Sequence, residues 1–140
     1  LIGDDAFFAA TRRLVYGRTD PQPGNFSPRY ASTRDFIDAV NAETGRDYGW
    51  LFDVYLYSAK LPELVVERDA TGLALRWETE DDKPFPMPLQ VRVDGRDIEV
   101  PMTSGRGHVE LPAHALYTID PHSRVLRAQA HITAWQETKQ

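Results

Sequence analysis

The sequence contains no cysteine, which excludes a disulfide framework, a thiol nucleophile and a thiolate metal site. It also lacks a basic excess, because 16 Lys and Arg residues face 21 Asp and Glu residues and leave a formal net charge of -5. Proteins that bind duplex nucleic acid usually carry the opposite balance. No apolar run approaches the roughly 18 residues of a membrane-spanning helix. We therefore expect neither a nucleic-acid partner nor a membrane span.

The remaining composition is that of an ordinary globular protein, with 41% hydrophobic and 26% charged residues among 140. A chain of this length suits one domain or two small halves. It opens with Leu1, Ile2 and Gly3, without Met and without a signal region. This opening predicts a fragment or a processed product.

The first 61 residues have the periodicity of helices. The pattern predicts a helix over residues 5–16, capped by Asp4 or Asp5, and a second helix capped by Ser32. Asp35, three residues after Ser32, is close to a capping box. Gly17 and Gly45 are expected to end these two helices.

A third helix is predicted over residues 48–59, and apolar side chains surround almost its whole circumference. Such a helix needs neighbours on nearly every side, so part of a larger molecule is expected around it. If the rest of that molecule is missing, we expect the isolated chain to dimerise or to bind a hydrophobic dye through exposed helix surface at Trp50, Phe52 and Tyr55.

From Pro62 onward the pattern changes to short strands at hairpin spacing, with Asp94-Gly95 as a strong signal for a tight turn. Seven strands are predicted, at residues 64–67, 73–77, 89–93, 97–100, 109–111, 117–119 and 125–132. We therefore predict an α+β fold in which about three helices precede a seven-stranded antiparallel β-sandwich. The predicted boundaries are a helical segment at 1–61, the sandwich at 62–135 and a polar tail at 136–140.

No cluster of residues predicts an active site. The four histidines form no H-E-x-x-H pair, and we interpret them as surface or loop residues rather than metal ligands: His108, His114, His122 and His131. Residues 120–124 contain Asp, His and Ser but have the pattern of a turn. The acidic run 78–82 favours a solvated loop over a weak calcium site. We assign no catalytic, cofactor-binding or metal-ligating residue in this chain.

Three aromatic residues allow an alternative function, because Trp77, Tyr117 and Trp135 could form a sugar-stacking face. Trp77 alternates in phase with Leu73 and Leu75, which favours a place in the core. The alternative is a non-catalytic β-sandwich module that binds carbohydrate.

Four segments in order resemble the end of the catalytic domain in the aminopeptidase N family of zinc metallopeptidases, the gluzincins. They are residues 33–37 (TRDFI), 44–47 (TGRD), 51–57 (LFDVYLY) and 61–64 (LPEL). Later segments, 86–89 (PMPL) and 118–121 (TIDP), resemble the β-sandwich domain that follows in that family. The resemblance covers about residues 5–130. Tyr55 stands where the family often has Trp, and Lys60-Leu61 replaces the usual glycine before proline, which suggests a divergent bacterial branch.

The resemblance implies a parent protein that binds one zinc ion through two histidines and a glutamate. A further Glu acts there as general base and a Tyr stabilises the oxyanion. Those groups lie upstream of the matched region, and no residue of this chain corresponds to them. The chain would complete the catalytic domain and help to shape the substrate cleft, inactive by itself. Its expected partners are the rest of the parent and, through it, a peptide substrate. A periplasmic and a cytoplasmic parent are both open.

Overall fold

The computed structural model describes residues 1–27 and 29–129 and has an α+β architecture. Three α-helices come first and antiparallel strands follow, which confirms the predicted fold class and the order of the elements. The chain divides into two compact units, the helical unit Leu1–Phe52 and the strand unit Asp53–Gln140. None of the described helices is long and apolar enough to cross a bilayer.

The first two helices end as the sequence predicts. Helix α1 (Asp4–Tyr16) ends at Gly17 and helix α2 (Thr33–Thr44) ends at Gly45, and both glycines adopt the left-handed conformation. The start of α1 differs from the prediction, because its N-cap is Gly3, without a side-chain hydrogen bond.

The start of α2 confirms the predicted capping box. Ser32 Oγ accepts a hydrogen bond from the Asp35 backbone N–H at 3.3 Å. The Asp35 carboxylate accepts one from the Ser32 N–H at 2.7 Å. Two N–H groups that the helix leaves unpaired are thus satisfied by one pair of side chains.

Helix α3 (Gly49–Tyr55) is shorter than the predicted helix over 48–59. Side chains replace the helical hydrogen bonds beyond its last turn. Ser58 Oγ donates to the Asp53 carbonyl at 2.9 Å. Lys83 Nζ donates to the Tyr57 carbonyl at 3.2 Å and to Ser58 Oγ at 2.7 Å. These bonds stabilise the chain where it leaves the helix, so the predicted apolar helix surface does not continue to residue 59.

The core of the helical unit is small. Its buried members are mostly short side chains, and larger hydrophobic residues lie around them only half-buried. The buried cluster contains Ala10, Ala39, Val40 and Tyr48.

The strands form two antiparallel three-stranded sheets. The first sheet has the order β1-β2-β5, with β1 Glu63–Arg68, β2 Gly72–Glu78 and β5 Arg106–Glu110. The second has the order β4-β3-β6, with β3 Leu89–Val93, β4 Arg96–Val100 and β6 Tyr117–Ile119. The predicted tight turn joins β3 to β4, with positive φ at Asp94 and Gly95.

The described residues contain six strands, so the prediction of seven is wrong for this part of the chain. Residues 125–129 of the predicted seventh strand lie in no strand, and residues 130–132 are outside the described part. The backbone of this segment forms no strand ladder; it bonds to two side chains and, through the Ala128 N–H, to the Pro62 carbonyl at 2.9 Å. The Val125 N–H donates to Asp120 Oδ2 at 3.1 Å, and the Leu126 carbonyl accepts from the Tyr55 hydroxyl at 2.7 Å.

Large apolar side chains fill the core of the strand unit. One row comes from β2 and alternates with exposed or half-buried residues, and a second row comes from β3. The buried residues include Leu73, Leu75, Trp77, Phe85, Leu89, Val91, Val100, Met102 and Val109.

Candidate functional sites

His108 lies in a small polar cluster at the turn between β1 and β2. Its Nε2 atom is 3.1 Å from Asp69 Oδ2 and 3.3 Å from Thr71 Oγ1. Asp69 Oδ1 accepts hydrogen bonds from the backbone N–H groups of Thr71 and Gly72 at 2.7 and 2.8 Å. Bonds from the Thr71 backbone and hydroxyl, then from Gly72, lower the pKa of Asp69 to about 2.

This cluster has the residue types of nucleophilic catalysis but not its geometry. A catalytic triad needs the carboxylate on one ring nitrogen of the histidine and the nucleophile on the other. Here Asp69 and Thr71 both approach Nε2 of His108, and the Thr71 hydroxyl donates to Asp69 Oδ1 at 2.8 Å. The cluster therefore fixes the turn and does not activate a hydroxyl.

His122 belongs to an ionic network on the surface of β3 and β4. Arg92 donates two hydrogen bonds to the Asp97 carboxylate, at 2.6 and 3.0 Å, and His122 Nε2 is 2.8 Å from Asp97 Oδ2. Arg92 first and His122 second hold the pKa of Asp97 well below its usual range. His114 is exposed, and His131 lies outside the described residues.

Residues 1–27 and 29–129 contain no group of three or more His, Asp or Glu side chains that could hold a metal ion. The zinc ligands that the resemblance implies lie upstream of the matched region and have no counterpart among the described residues. In the acidic run, Glu80 Oε2 accepts a hydrogen bond from the Ala59 N–H at 2.9 Å, which ties this loop to the end of the α3 segment.

The segment 120–124 is a turn, as the sequence predicts. Asp120 is only 7% exposed, and its two carboxylate oxygens accept the backbone N–H groups of Arg124 and Val125 at 2.9 and 3.1 Å. Burial, together with the negative charge of Asp120, raises the pKa of Tyr55 to about 12. Tyr55 thus keeps its proton at ordinary pH and donates it in a hydrogen bond to the Leu126 carbonyl at 2.7 Å.

Trp77 is not part of an exposed stacking face. Its side chain is 7% exposed, and its indole N–H donates to the Met87 carbonyl at 2.9 Å. Its ring centroid lies 5.3 Å from that of Phe85 in an edge contact. Tyr117 is exposed on β6, and Trp135 lies outside the described residues.

A groove of about 460 Å³ lies beside β2 and β5, and we call it the polar groove. Its charged lining residues include Arg76, Glu78, Lys83 and Arg106. Arg76 Nη1 is 2.5 Å from Glu78 Oε1. Arg76 and Arg106 are direct partners in the register of β2 and β5. Sequence reasoning missed this pair, because the register of two strands 30 residues apart leaves no local pattern.

A second groove, of about 440 Å³, lies within the helical unit, and we call it the apolar groove. Mostly aromatic and aliphatic side chains line it, among them Phe7, Phe36, Val40 and Phe52. Next to it, Phe8 is 54% exposed and packs edge-on against Phe7 with ring centroids 5.5 Å apart. The helical unit therefore leaves a connected aromatic surface uncovered.

Comparison with known proteins adds no relative. No family model, no curated protein and no solved structure matches this chain. Its function is therefore inferred from the sequence pattern and from the geometry described above.

Proposed function

We propose that the chain forms the C-terminal supporting part of a zinc-dependent, aminopeptidase-like metallopeptidase. The helices complete the catalytic domain of the parent, and the strands form a β-sandwich that helps to shape the substrate cleft. The uncovered aromatic surface of the helical unit carries the proposal. A monomeric soluble protein rarely leaves such a surface to water, so we expect other parts of the parent to cover Phe7, Phe8 and the apolar groove.

The resembling segments support the proposal because they coincide with the starts and ends of elements. Residues 33–37 form the start of α2, and residues 44–47 contain Gly45, where α2 ends. Residues 51–57 include most of α3, and residues 61–64 lead into β1. The order of helix, glycine turn, aromatic helix and strand is the order that the resemblance implies.

We also propose that the two sheets pack face to face as a sandwich. A Cβ atom built on Gly107 of β5 would lie 2.8 Å from Val100 Cγ1 at the end of β4. Each sheet also has one buried row, with Leu75 in the first and Val91 in the second. Aligned sandwiches bury such rows against each other.

A double-mutant cycle with Leu75→Ala and Val91→Ala tests the sandwich. Side chains that share an interface show coupling energies of about 0.5 kcal/mol or more in urea unfolding. Free energies that add within about 0.3 kcal/mol would contradict face-to-face packing at these positions.

In the parent, zinc would polarise the scissile carbonyl and activate water. In this proposal the chain supplies no step of that reaction. The Asp69, Asp97 and Asp120 carboxylates are engaged in turns and in a surface network. Their role in the proposal is to hold the wall of the cleft in shape.

The coding sequence that adjoins the codon for Leu1 provides the first test. The proposal expects H-E-x-x-H, a Glu on the following helix and then a Tyr, all upstream of Leu1. A start codon at this point, or an unrelated domain, would overturn the assignment to a metallopeptidase.

Dye binding provides the second test, on the purified 140-residue chain. If the aromatic surface is an uncovered interface, Phe8→Glu should lower the fluorescence of a bound hydrophobic dye at least two-fold. Leu116→Glu is the matched control, because Leu116 is an exposed apolar residue of the strand unit and should leave the dye signal unchanged. Stoichiometric zinc or peptidase activity in the chain alone would contradict the supporting role.

A further inference from the structure

The outer face of the first sheet brings two arginines directly opposite each other. Arg76 on β2 and Arg106 on β5 are register partners, beside the hydrogen bond from the Trp77 N–H to the Gly105 carbonyl at 2.8 Å. Side chains opposite each other in an antiparallel pair have Cβ atoms about 5 Å apart. Like charges in this arrangement destabilise a sheet unless an anion lies between them.

Of the cations around the pair, Arg106 has no ion-pair partner among the described residues. Glu78 pairs with Arg76. Lys83, the other cation of the polar groove, donates its hydrogen bonds to Ser58 and to backbone carbonyls. Arg106 is exposed. Within the described part of the chain its guanidinium forms no hydrogen bond or ion pair of the kind found for Arg76 and Lys83. The cations of the two grooves are matched in number by the carboxylates of Glu67, Glu78 and Asp82, so the attraction for an anion comes from the Arg106 guanidinium itself.

Two grooves meet at the arginine pair. Arg76 and Arg106 line the polar groove, and both also line a smaller groove of about 180 Å³ whose other lining residues include Val65, Glu67 and Ala74. An extended ligand could cross the two guanidiniums and place apolar atoms over Val65 and Ala74. Among the described strands β5 is an outer strand of its sheet, so a peptide could lie along its edge beyond Arg106, whose own N–H donates to the Thr103 carbonyl at 3.0 Å.

We propose that Arg76 and Arg106 form a binding site for a carboxylate group of an acidic peptide. The planar guanidinium of Arg106 matches the two oxygens of a carboxylate, and one of the remaining N–H groups of Arg76 supports the same anion. Glu78 and Asp82 line the same groove and repel a doubly charged phosphate more strongly than a singly charged carboxylate. The site does not depend on the identity of the parent protein.

Isothermal titration at low ionic strength tests the site with three blocked pentapeptides and inorganic phosphate. The peptide Ac-AAEAA-NH2 carries a side-chain carboxylate, Ac-AAAAA-OH carries only a terminal one, and Ac-AAQAA-NH2 is neutral. We expect at least one acidic peptide to bind with a Kd below about 1 mM and the neutral peptide to bind at least about ten-fold more weakly. The two acidic peptides distinguish an internal Asp or Glu from a chain terminus as the source of the carboxylate. Equal binding of all three peptides, no binding of any, or tighter binding of phosphate would overturn the proposal.

Single substitutions of arginines test whether the acidic peptide binds at this pair. Arg106→Gln should raise the Kd of the acidic peptide about ten-fold. Arg106→Lys should recover only part of the lost affinity, because Lys cannot bind both carboxylate oxygens with a planar pair of N–H groups. Arg96→Gln is the matched control, because Arg96 is an exposed arginine on β4 of the other sheet. An equal loss with Arg96→Gln would show a general charge effect and would contradict the assignment.

Stability separates a binding role from a structural one. Without peptide, Arg106→Gln removes a like-charge contact, so its urea midpoint should equal or exceed that of the unchanged protein. A clearly lower midpoint would mean that Arg106 supports the fold, and it would overturn the binding role.

Discussion

The helical unit and the strand unit differ in what they bury. In the helical unit the buried residues are mostly small, such as Ala10, Ala39 and Val40, whereas Phe7 and Phe8 are exposed. In the strand unit the largest side chains are inside, including Phe85 and Leu75. Because buried apolar area drives folding, the strand unit supplies most of its own stability. The helical unit buries Tyr48 but leaves its other large aromatic side chains exposed or half-buried.

The largest expected effect is the loss of Phe85 from the core of the strand unit. Phe85 is 2% exposed and packs edge-on against Trp77 and Tyr55. Phe85→Ala should cost about 3–5 kcal/mol in the free energy of unfolding, because it removes buried area and leaves a cavity. Urea unfolding, monitored by tryptophan fluorescence, measures this loss in the free energy of unfolding.

Val40→Ala is the corresponding change in the helical unit and should cost less, about 1–3 kcal/mol, because it removes fewer buried atoms from a smaller core. An equal or larger cost for Val40→Ala would break the comparison between the two units.

The next largest loss of stability is expected at Gly72 in β2, again in the strand unit. A Cβ atom at Gly72 would lie 2.0 Å from the Val109 carbonyl oxygen, so Gly72→Ala forces β2 away from β5. We expect a loss of more than about 2 kcal/mol in unfolding free energy.

Gly49→Ala is the matched control in the helical unit. There a Cβ atom meets only the Asp47 carboxylate at 3.1 Å, and Ala suits helix α3 better than Gly. This variant should be neutral or slightly stabilising. A loss as large as that of Gly72→Ala would show that the close strand approach is not the cause.

A smaller effect is expected at the capping box of α2. Ser32→Ala removes an acceptor for the Asp35 N–H and a partner of the Asp35 carboxylate, and should cost about 1 kcal/mol. Circular dichroism during urea unfolding reports the change in helix stability. Ser27→Ala, in the loop before α2, is a control and should have no effect. If Ser32→Ala also leaves the midpoint unchanged, the cap does not limit the stability of the helical unit.

The smallest effects concern pH, because Asp69 and Asp97 are exposed. Their folded pKa values lie below the ordinary value, so ionisation favours the folded state. Their contribution is complete above the unfolded pKa of about 4 and is lost as the pH falls through the folded values. The urea midpoint should therefore fall between about pH 5 and pH 2.

Asp97→Asn should flatten this decline, and Arg92→Gln should do so too, because Arg92 is the main cause of the lowered pKa of Asp97. A decline that is unchanged in both variants would contradict the role of this network in the strand unit.

Local patterns predicted the parts of the fold that depend on neighbours in sequence. The Ser32–Asp35 capping box, the glycine ends of α1 and α2 and the Asp94-Gly95 turn each involve residues within a few positions. The length of α3 was not predictable in this way. Its end depends on Lys83, which reaches Tyr57 and Ser58 from about 25 positions along the chain.

The candidate site, too, depends on contacts that local sequence patterns do not predict. The alternation of buried and exposed residues in β2 predicts that Arg76 points away from the core, but not which residue lies opposite it. That neighbour is Arg106, because β5 and not β3 pairs with β2. The chain passes from the first sheet to the second after β2, returns to the first at β5 and ends in the second at β6. The strand order therefore depends on the packing of the whole unit.

The sequence by itself determined the α+β class, the change from helices to strands near Pro62 and the inward positions of β2 and β3. These features depend on backbone preference and on the periodicity of apolar side chains, which are local properties. Only the tertiary structure decided the strand order, the irregular backbone of residues 125–129 where a strand was predicted, and the meeting of Arg76 with Arg106. Those outcomes depend on contacts between distant residues, whose free energy exists only once the chain has folded.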